Sequence, residues 1–320
     1  MKLVKKYRPK NFSEVKGQSH ILPLIINAIS HDQRPHMLFV GSSGTGKTSV
    51  AECIARKLFG EGWRSKYTEL NASDDRGIDV VRGIIKRLSK IRGNRIVLLD
   101  EADNLTQDAQ QALRRTMEQA VGTMFILTGN REWKIIDAIK SRCAVFRFKR
   151  LSNVDIMRRL WEVCDGEGLK ITSEMKEGFL ALVASSNGDL RRALNCLETI
   201  IGEGKTISPE VVASFQKPKI AGEALKIAVA GDFERGKELF EDAYINSNFM
   251  VDEMLMELYE TIGDLNVKNP VKARLYARLA EAERSCRIGS NPLLQLIGFL
   301  SFSWVVRHLP EGCPALDEKS

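Results

Sequence analysis

Eight residues, Gly41-Ser42-Ser43-Gly44-Thr45-Gly46-Lys47-Thr48, leave few options for a chain that carries them. They match G-x-x-x-x-G-K-[ST], the spacing of a phosphate-binding loop. The flanks agree with the loop. Met37-Leu38-Phe39-Val40 is a short apolar run of the kind a buried strand needs, and Val50, Ile54, Ala55 and Leu58 follow at helical spacing without a proline. Gly41, Gly44 and Gly46 let the backbone curl so that its N–H groups point at phosphate oxygens. The helix that follows adds the positive end of its dipole. Lys47 supplies a mobile point charge for the outer phosphates, and the Thr48 hydroxyl is a ligand for Mg²⁺.

A strand–loop–helix of this kind belongs in a parallel α/β sheet, and the next stretches supply one. Tyr67–Leu70, Ile96–Leu99, Met124–Thr128 and Val145–Phe148 read as further strands. Between them lie helical patterns at Ile78–Ser89, Gln107–Gln119 (with Thr106 as N-cap) and Lys134–Lys140. This alternation predicts an α/β core with helices on both faces of a parallel sheet. Ligands of such sheets bind at the carboxyl ends of the strands. The loop, Asn71, Asp100-Glu101 and Asn130 all fall at such ends. Residues 1–20 are basic, and Pro9 biases Arg8 toward extended backbone, so they read as an arm rather than a helix.

After Leu151 the strands stop. Helical patterns cover Val154–Glu167, Ser173–Ser185, Asp189–Gly202 and a helix from Ser208-Pro209. Lys217-Pro218-Lys219 reads as a linker, and the helical patterns resume to about Leu309. The expected domains are a core at 1–151, a small helical domain at 152–216 and a larger one at 217–320.

Charge divides the same way. The net charge is +7, yet residues 217–320 hold 13 basic against 16 acidic side chains. The positive charge lies with the nucleotide-binding part, which points to a polyanion besides nucleotide. The six cysteines are scattered, as in reduced intracellular proteins. The four histidines form no metal cluster. No apolar stretch reaches membrane-span length and no signal peptide opens the chain.

Asp100-Glu101 follows four apolar residues, the pattern of a Walker B motif. Asp100 is placed to hold Mg²⁺, and Glu101 to polarise the water that attacks a γ-phosphate. Asn130 reads equally well as a γ-phosphate sensor or as a turn-capping amide. Arg142 and Arg191 read from composition alone as surface charges.

Several stretches occur here in a telling order. They are Tyr7-Arg8-Pro9, the loop, Leu70-Asn71-Ala72-Ser73-Asp74, Asp100-Glu101-Ala102-Asp103, Gln110–Glu118, Ser141-Arg142-Cys143 and Gly188-Asp189-Leu190-Arg191-Arg192-Ala193. Together they closely resemble the small subunit of replication factor C, an AAA+ sliding-clamp loader of archaea and eukaryotes. The resemblance is specific over about residues 4–200 and weaker beyond, where Gly289–Asn291 resembles a turn of the family collar. It implies a clamp-loading ATPase of DNA replication with ATP and Mg²⁺ as cofactors. The expected architecture is an AAA+ core, a helical lid and a helical collar. Arg142 would act as an arginine finger on a neighbour's ATP, Asn130 as first sensor and Arg191 as second. Asn71 would be the switch that restrains Glu101, and Arg8, Pro9, Val15 and Gly17 would line the adenine pocket. Arg76, Arg82 and Lys86 would grip DNA phosphates, independently of sequence. Implied partners are the large subunit and other small subunits in a ring of five, the sliding clamp and primer–template DNA, with no membrane. Absence of a basic targeting cluster favours an archaeal, cytoplasmic source over a eukaryotic, nuclear one.

The chain departs from the family pattern at Thr128-Gly129, where Ser-Cys is usual, and at Ser42-Ser43, where the loop often has two prolines. None of these changes removes a catalytic group. Three other readings compete. A different AAA+ remodeller, such as a helicase loader or branch-migration motor, would share the core. An architectural subunit would bind nucleotide with little turnover. A DEAD-type helicase would need a second α/β domain, which the helical remainder does not supply.

Overall fold

The computed structural model describes residues 2–31, 34–73, 83, 93–169, 172, 175–215, 219–246 and 251–308. Internal contacts divide the chain into two compact units, Met1–Gln216 and Lys217–Ser320.

The first unit is built on five parallel strands: β1 (His36–Val40), β2 (Tyr67–Asn71), β3 (Arg95–Asp100), β4 (Thr123–Gly129) and β5 (Cys143–Arg147), in the order β2-β3-β4-β1-β5. Period-two geometry sends alternate side chains to opposite faces. Met37, Phe39, Ile96, Leu98, Met124 and Ile126 fill one face with Ile25 and Ile29 of α2 (Leu22–Ser30) and Val50, Ile54 and Ala55 of α3 (Lys47–Phe59). Leu38, Val40, Val97, Leu99, Phe125 and Leu127 fill the other with Ala109, Leu113 and Met117 of α4 (Gln107–Gln119) and Ile139 of α5 (Asp137–Lys140). Both faces of β3 and β4 are buried, which is why these strands read as unbroken apolar runs. The strand order matters for the site. β4 lies between β1 and β3, so whatever ends β4 falls between the phosphate loop after β1 and the carboxylates that end β3.

Helices α6 (Asn153–Gly166), α7 (Lys176–Ser186), α8 (Leu190–Gly202) and α9 (Pro209–Ser214) form a second cluster around Leu160, Phe179, Leu182, Leu197 and Val212. Ser152, Asp189 and Ser208 each accept a hydrogen bond from the backbone N–H three residues on, so these starts are capped by their own sequence.

Two expectations need correction. The opening arm contains a short helix, α1 (Leu3–Lys6), because Leu3 is buried in the α6–α8 cluster and its N–H donates to Glu198 Oε2 at 3.1 Å. The helix stops at Lys6, so Arg8, the residue that Pro9 biases toward extended backbone, lies outside it. The helix expected over Lys134–Lys140 is two pieces, a 3₁₀ turn at Glu132–Lys134 and α5. Between them Ile135 and Ile136 are extended, and Ile135 is buried under the sheet.

The second unit is helical among its described residues: α10 (Ile220–Ala230), α11 (Phe233–Asn246), α12 (Val251–Asp264), α13 (Asn269–Arg287) and α14 (Pro292–His308). Leu225, Phe240, Leu258, Leu275 and Phe299 form its core. No helix among the described residues is long and apolar enough to cross a membrane. Arg76, Arg82 and Lys86, the helix expected over Ile78–Ser89 apart from Gly83, and Lys217-Pro218 of the expected linker lie outside the described residues.

Candidate nucleotide site

The strands bring the phosphate loop, the β3 carboxylates and the β4 end to one rim, and α8 closes over it. A cleft with about 1000 Å³ of open space results, entirely within the first unit. Ser43 to Thr48, Asp100, Glu101 and Asn130 line it, with Arg8, Pro9 and Val15 from the arm and Arg191 from α8.

Lys47 is buried, and its Nζ donates to Gly41 O at 2.6 Å, Ser42 O at 2.8 Å and Asn130 Oδ1 at 2.9 Å. Gly41 and Ser42 thus hold the lysine at the root of the loop. Burial pushes the Lys47 ammonium from 10.5 down to about 8, against the opposing pull of Asp100 and Asp103. Gly46 opens α3 without a side-chain cap. The first-turn N–H groups of that helix therefore suit a phosphate.

The metal side is equally well furnished. Thr48 Oγ1 donates to both oxygens of Asp100, at 3.3 and 3.2 Å. A hydroxyl and a carboxylate side by side are hard oxygen donors of the type Mg²⁺ takes in small numbers while keeping water. The residues present fit both a nucleotide and its Mg²⁺.

Glu101 adopts left-handed backbone, φ 57° and ψ 39°. In a non-glycine residue this costs on the order of 1–3 kcal/mol and persists only where the surroundings enforce it. Its N–H donates to Thr128 Oγ1 at 3.1 Å, and Asn104 N–H closes a turn onto its carbonyl at 2.9 Å. Its carboxylate accepts from the Ser73 hydroxyl and from Asn104 Nδ2 at 3.0 Å. Asn71 ends β2 in register with Asp100, and its Oδ1 accepts from Ser73 N–H at 3.1 Å.

Asn130 is fixed from behind. Its N–H and that of Arg131 both donate to the buried Asp103 carboxylate, each at 3.2 Å. Arg8 is ion-paired with Glu52 of α3, which anchors the arm beside the cleft. Gly17 is not among the residues lining the cleft, and a Cβ there would meet Leu151 and Asp155. Arg142 lies away from the cleft lining, ion-paired with Glu118 and donating to Ala138 O at 2.9 Å.

Sequence reasoning missed four residues. Ser73 and Asn104 hold Glu101, and Thr128 touches both Walker B carboxylate residues. Gln18, fully buried, donates to Lys149 O at 2.8 Å and to Thr45 O of the loop at 3.3 Å. Only Thr128 carried a signal, as a hydroxyl two places before Asn130 at the end of a buried strand.

Comparison with known proteins places the chain in a family. The family described as ATPase family associated with various cellular activities (AAA) matches residues 37–151. The RCF1/5-like AAA+ ATPase lid domain matches residues 158–201. The chain is 38% identical over 308 residues to the replication factor C small subunit of Archaeoglobus fulgidus, covering 93% of this chain and 96% of that one. It is 38% identical over 306 residues to the replication factor C small subunit of Halobacterium salinarum, covering 93% and 94%. Among solved structures it is similar in fold to the Thermotoga maritima RuvB Holliday junction branch migration motor, with TM-score 0.54, 15% identity, and 79% of this chain and 85% of that one covered. At that identity the likeness speaks for the AAA+ fold alone. The sequence relatives, spanning nearly the whole chain, decide the family: this is a nucleotide-binding AAA+ protein of the replication factor C small-subunit family, the clamp loaders of DNA replication.

Proposed function

We propose that the cleft binds and hydrolyses ATP with Mg²⁺, and that hydrolysis is timed by assembly with other clamp-loader subunits, the sliding clamp and primer–template DNA. One observation carries the reading: Lys47, Thr48, Asp100, Glu101, Asn130 and Arg191, drawn from four separate elements, line a single cleft.

The chain's own groups divide the work. Loop N–H groups and Lys47 bind the phosphates. Thr48 and Asp100 hold Mg²⁺, which when bound neutralises charge on the phosphate oxygens. Glu101 orients the attacking water and accepts its proton. Asn130 fixes the Lys47 ammonium, and Arg191 brings a cation from the lid. Arg8, Pro9 and Val15 enclose the base. Arg142, outside its own cleft, reaches the ATP of a neighbouring subunit. The domain assignment that goes with this is an ATPase core at 1–151, a lid at 152–216 and a collar at 217–320 that joins the ring of five.

The test is Glu101→Gln in this subunit alone within the full loader. The variant should keep nucleotide affinity while clamp- and DNA-stimulated ATPase and clamp loading fall. Unchanged hydrolysis and loading would make the subunit architectural.

A further inference from the structure

Thr128 is almost fully buried at the end of β4, and its one hydroxyl is used twice. Its oxygen accepts the Glu101 N–H at 3.1 Å, and its proton goes to Asp100 Oδ1. The same Asp100 oxygen accepts from Thr48. Glu101 sits in left-handed backbone that a residue with a Cβ does not adopt unaided. Its N–H bond to Thr128 is therefore a fixed point in the turn that aims its carboxylate. Asp100 ends β3 and Glu101 follows it, and the parallel pairing of β3 with β4, in register as far as Leu99 and Leu127, brings Thr128 beside them.

We infer that Thr128 is a positioning residue that couples the metal-side carboxylate of Asp100 to the water-side carboxylate of Glu101. Through one hydroxyl, the rotamer that presents Asp100 to the cation and the backbone turn that presents Glu101 to the water are set together. Threonine suits the task better than serine. Its β-branch restricts the side-chain rotamer and so fixes the direction of both hydrogen bonds. Thr128 lies in the lining of the cleft, with its proton committed to Asp100 and its oxygen to the Glu101 N–H, and it acts through those two partners. The hydrolytic part of this role rests on the ATPase reading above.

Thr128→Val keeps the shape and removes both hydrogen bonds, and Thr128→Ser keeps both hydrogen bonds and removes the methyl. Three readouts on the full chain and the assembled loader separate the possibilities. The first is hydrogen exchange of the Glu101 amide in the unliganded chain. The second is the Mg²⁺ concentration needed for half-maximal binding of a fluorescent ATP analogue. The third is kcat and KM for ATP in the loader. In Thr128→Val the Glu101 amide should exchange at least about tenfold faster and the Mg²⁺ requirement should rise several-fold, as loss of a hydrogen bond to a charged group implies. kcat should drop about tenfold or more with KM for ATP little changed, the pattern of lost transition-state alignment. Thr128→Ser should recover most of each. A Thr128→Val chain with wild-type amide exchange and Mg²⁺ requirement overturns the inference, whether or not the chain hydrolyses ATP. If exchange and Mg²⁺ requirement shift as expected while wild type shows no turnover in the loader, the coupling stands and the hydrolytic reading falls.

Discussion

Nζ of Lys47 donates to Oδ1 of Asn130 at 2.9 Å, a side-chain hydrogen bond that ties the phosphate loop after β1 to the residue following β4, beside the backbone bond from Gly41 N–H to Gly129 O at 3.1 Å. The side-chain bond places a neutral acceptor on a buried ammonium whose pKa is already down to about 8. The consequence is a pH-dependent affinity. Below pH 8 Lys47 is charged before a triphosphate arrives, and binding needs no proton. Above pH 8 the amine is increasingly neutral, and binding must take up a proton because the anion favours the charged form. Affinity for ATP should be flat from pH 6.5 to 7.5 and then fall, by up to about tenfold per pH unit. Titration calorimetry at pH 9 in buffers of different ionisation enthalpy should show net proton uptake. Affinity independent of pH up to 9.5 would place the Lys47 pKa near its ordinary value.

Gly44 has φ +67, and a Cβ there would overlap the carboxylate of Asp189. Asp189 is the N-cap of α8, accepting from Arg192 N–H at 3.0 Å, and Arg191 of that helix lines the cleft. Gly44→Ala should therefore push α8 off the loop as well as strain the turn. Gly46→Ala is the control, since it also has positive φ but its Cβ meets nothing within 4 Å. Both should weaken nucleotide binding, Gly44→Ala by roughly a further tenfold, which corresponds to about 1.4 kcal/mol. Equal dissociation constants for the two would show that contact between loop and lid contributes nothing to binding.

Gln18 joins three segments. Its amide nitrogen donates to Lys149 O and Thr45 O, and its Oε1 accepts from Lys149 N–H at 3.2 Å. Gln18→Leu keeps the volume and takes this partner from the buried Thr45 O and from the partly buried N–H and C=O of Lys149, and a buried polar group left unpaired costs about 1–3 kcal/mol. The melting temperature of the chain should fall by several degrees, and nucleotide affinity with it, because Thr45 belongs to the loop. A melting temperature within a degree of wild type would mean that water replaces the amide without loss.

The sheet was legible because its chemistry is local. Alternating burial on two covered faces forces apolar runs, and the glycines and Lys47 of the loop sit beside the strand that positions them. Asp100 and Glu101 were legible for the same reason. What holds Glu101 was not. Ser73 lies 28 residues before it, and a lone serine in a turn carries no pattern. Gln18 reaches Lys149 across 131 residues and reads locally as an ordinary polar residue. Helix α1 was hidden because burial of Leu3 against α8, rather than its own four residues, stabilises it. Arg191 entered only through family resemblance, since its place in the cleft depends on how α8 packs over the loop.

Arg142 pairs with Glu118 on the outer side of α4 and α5, and it is not among the residues that line its own cleft. Its removal should leave the isolated subunit's nucleotide affinity unchanged. In the assembled ring the neighbouring site should lose a trans arginine, a loss of roughly 10³-fold or more in turnover at that site. Glu118→Gln frees the guanidinium from a partly exposed ion pair worth at most about 1 kcal/mol, so hydrolysis in the ring should stay the same or rise slightly. Single-turnover hydrolysis, with Arg142→Ala in this subunit only, identifies the affected site. Weaker nucleotide binding by the isolated Arg142→Ala chain would instead assign Arg142 to its own cleft and remove the case for a shared site.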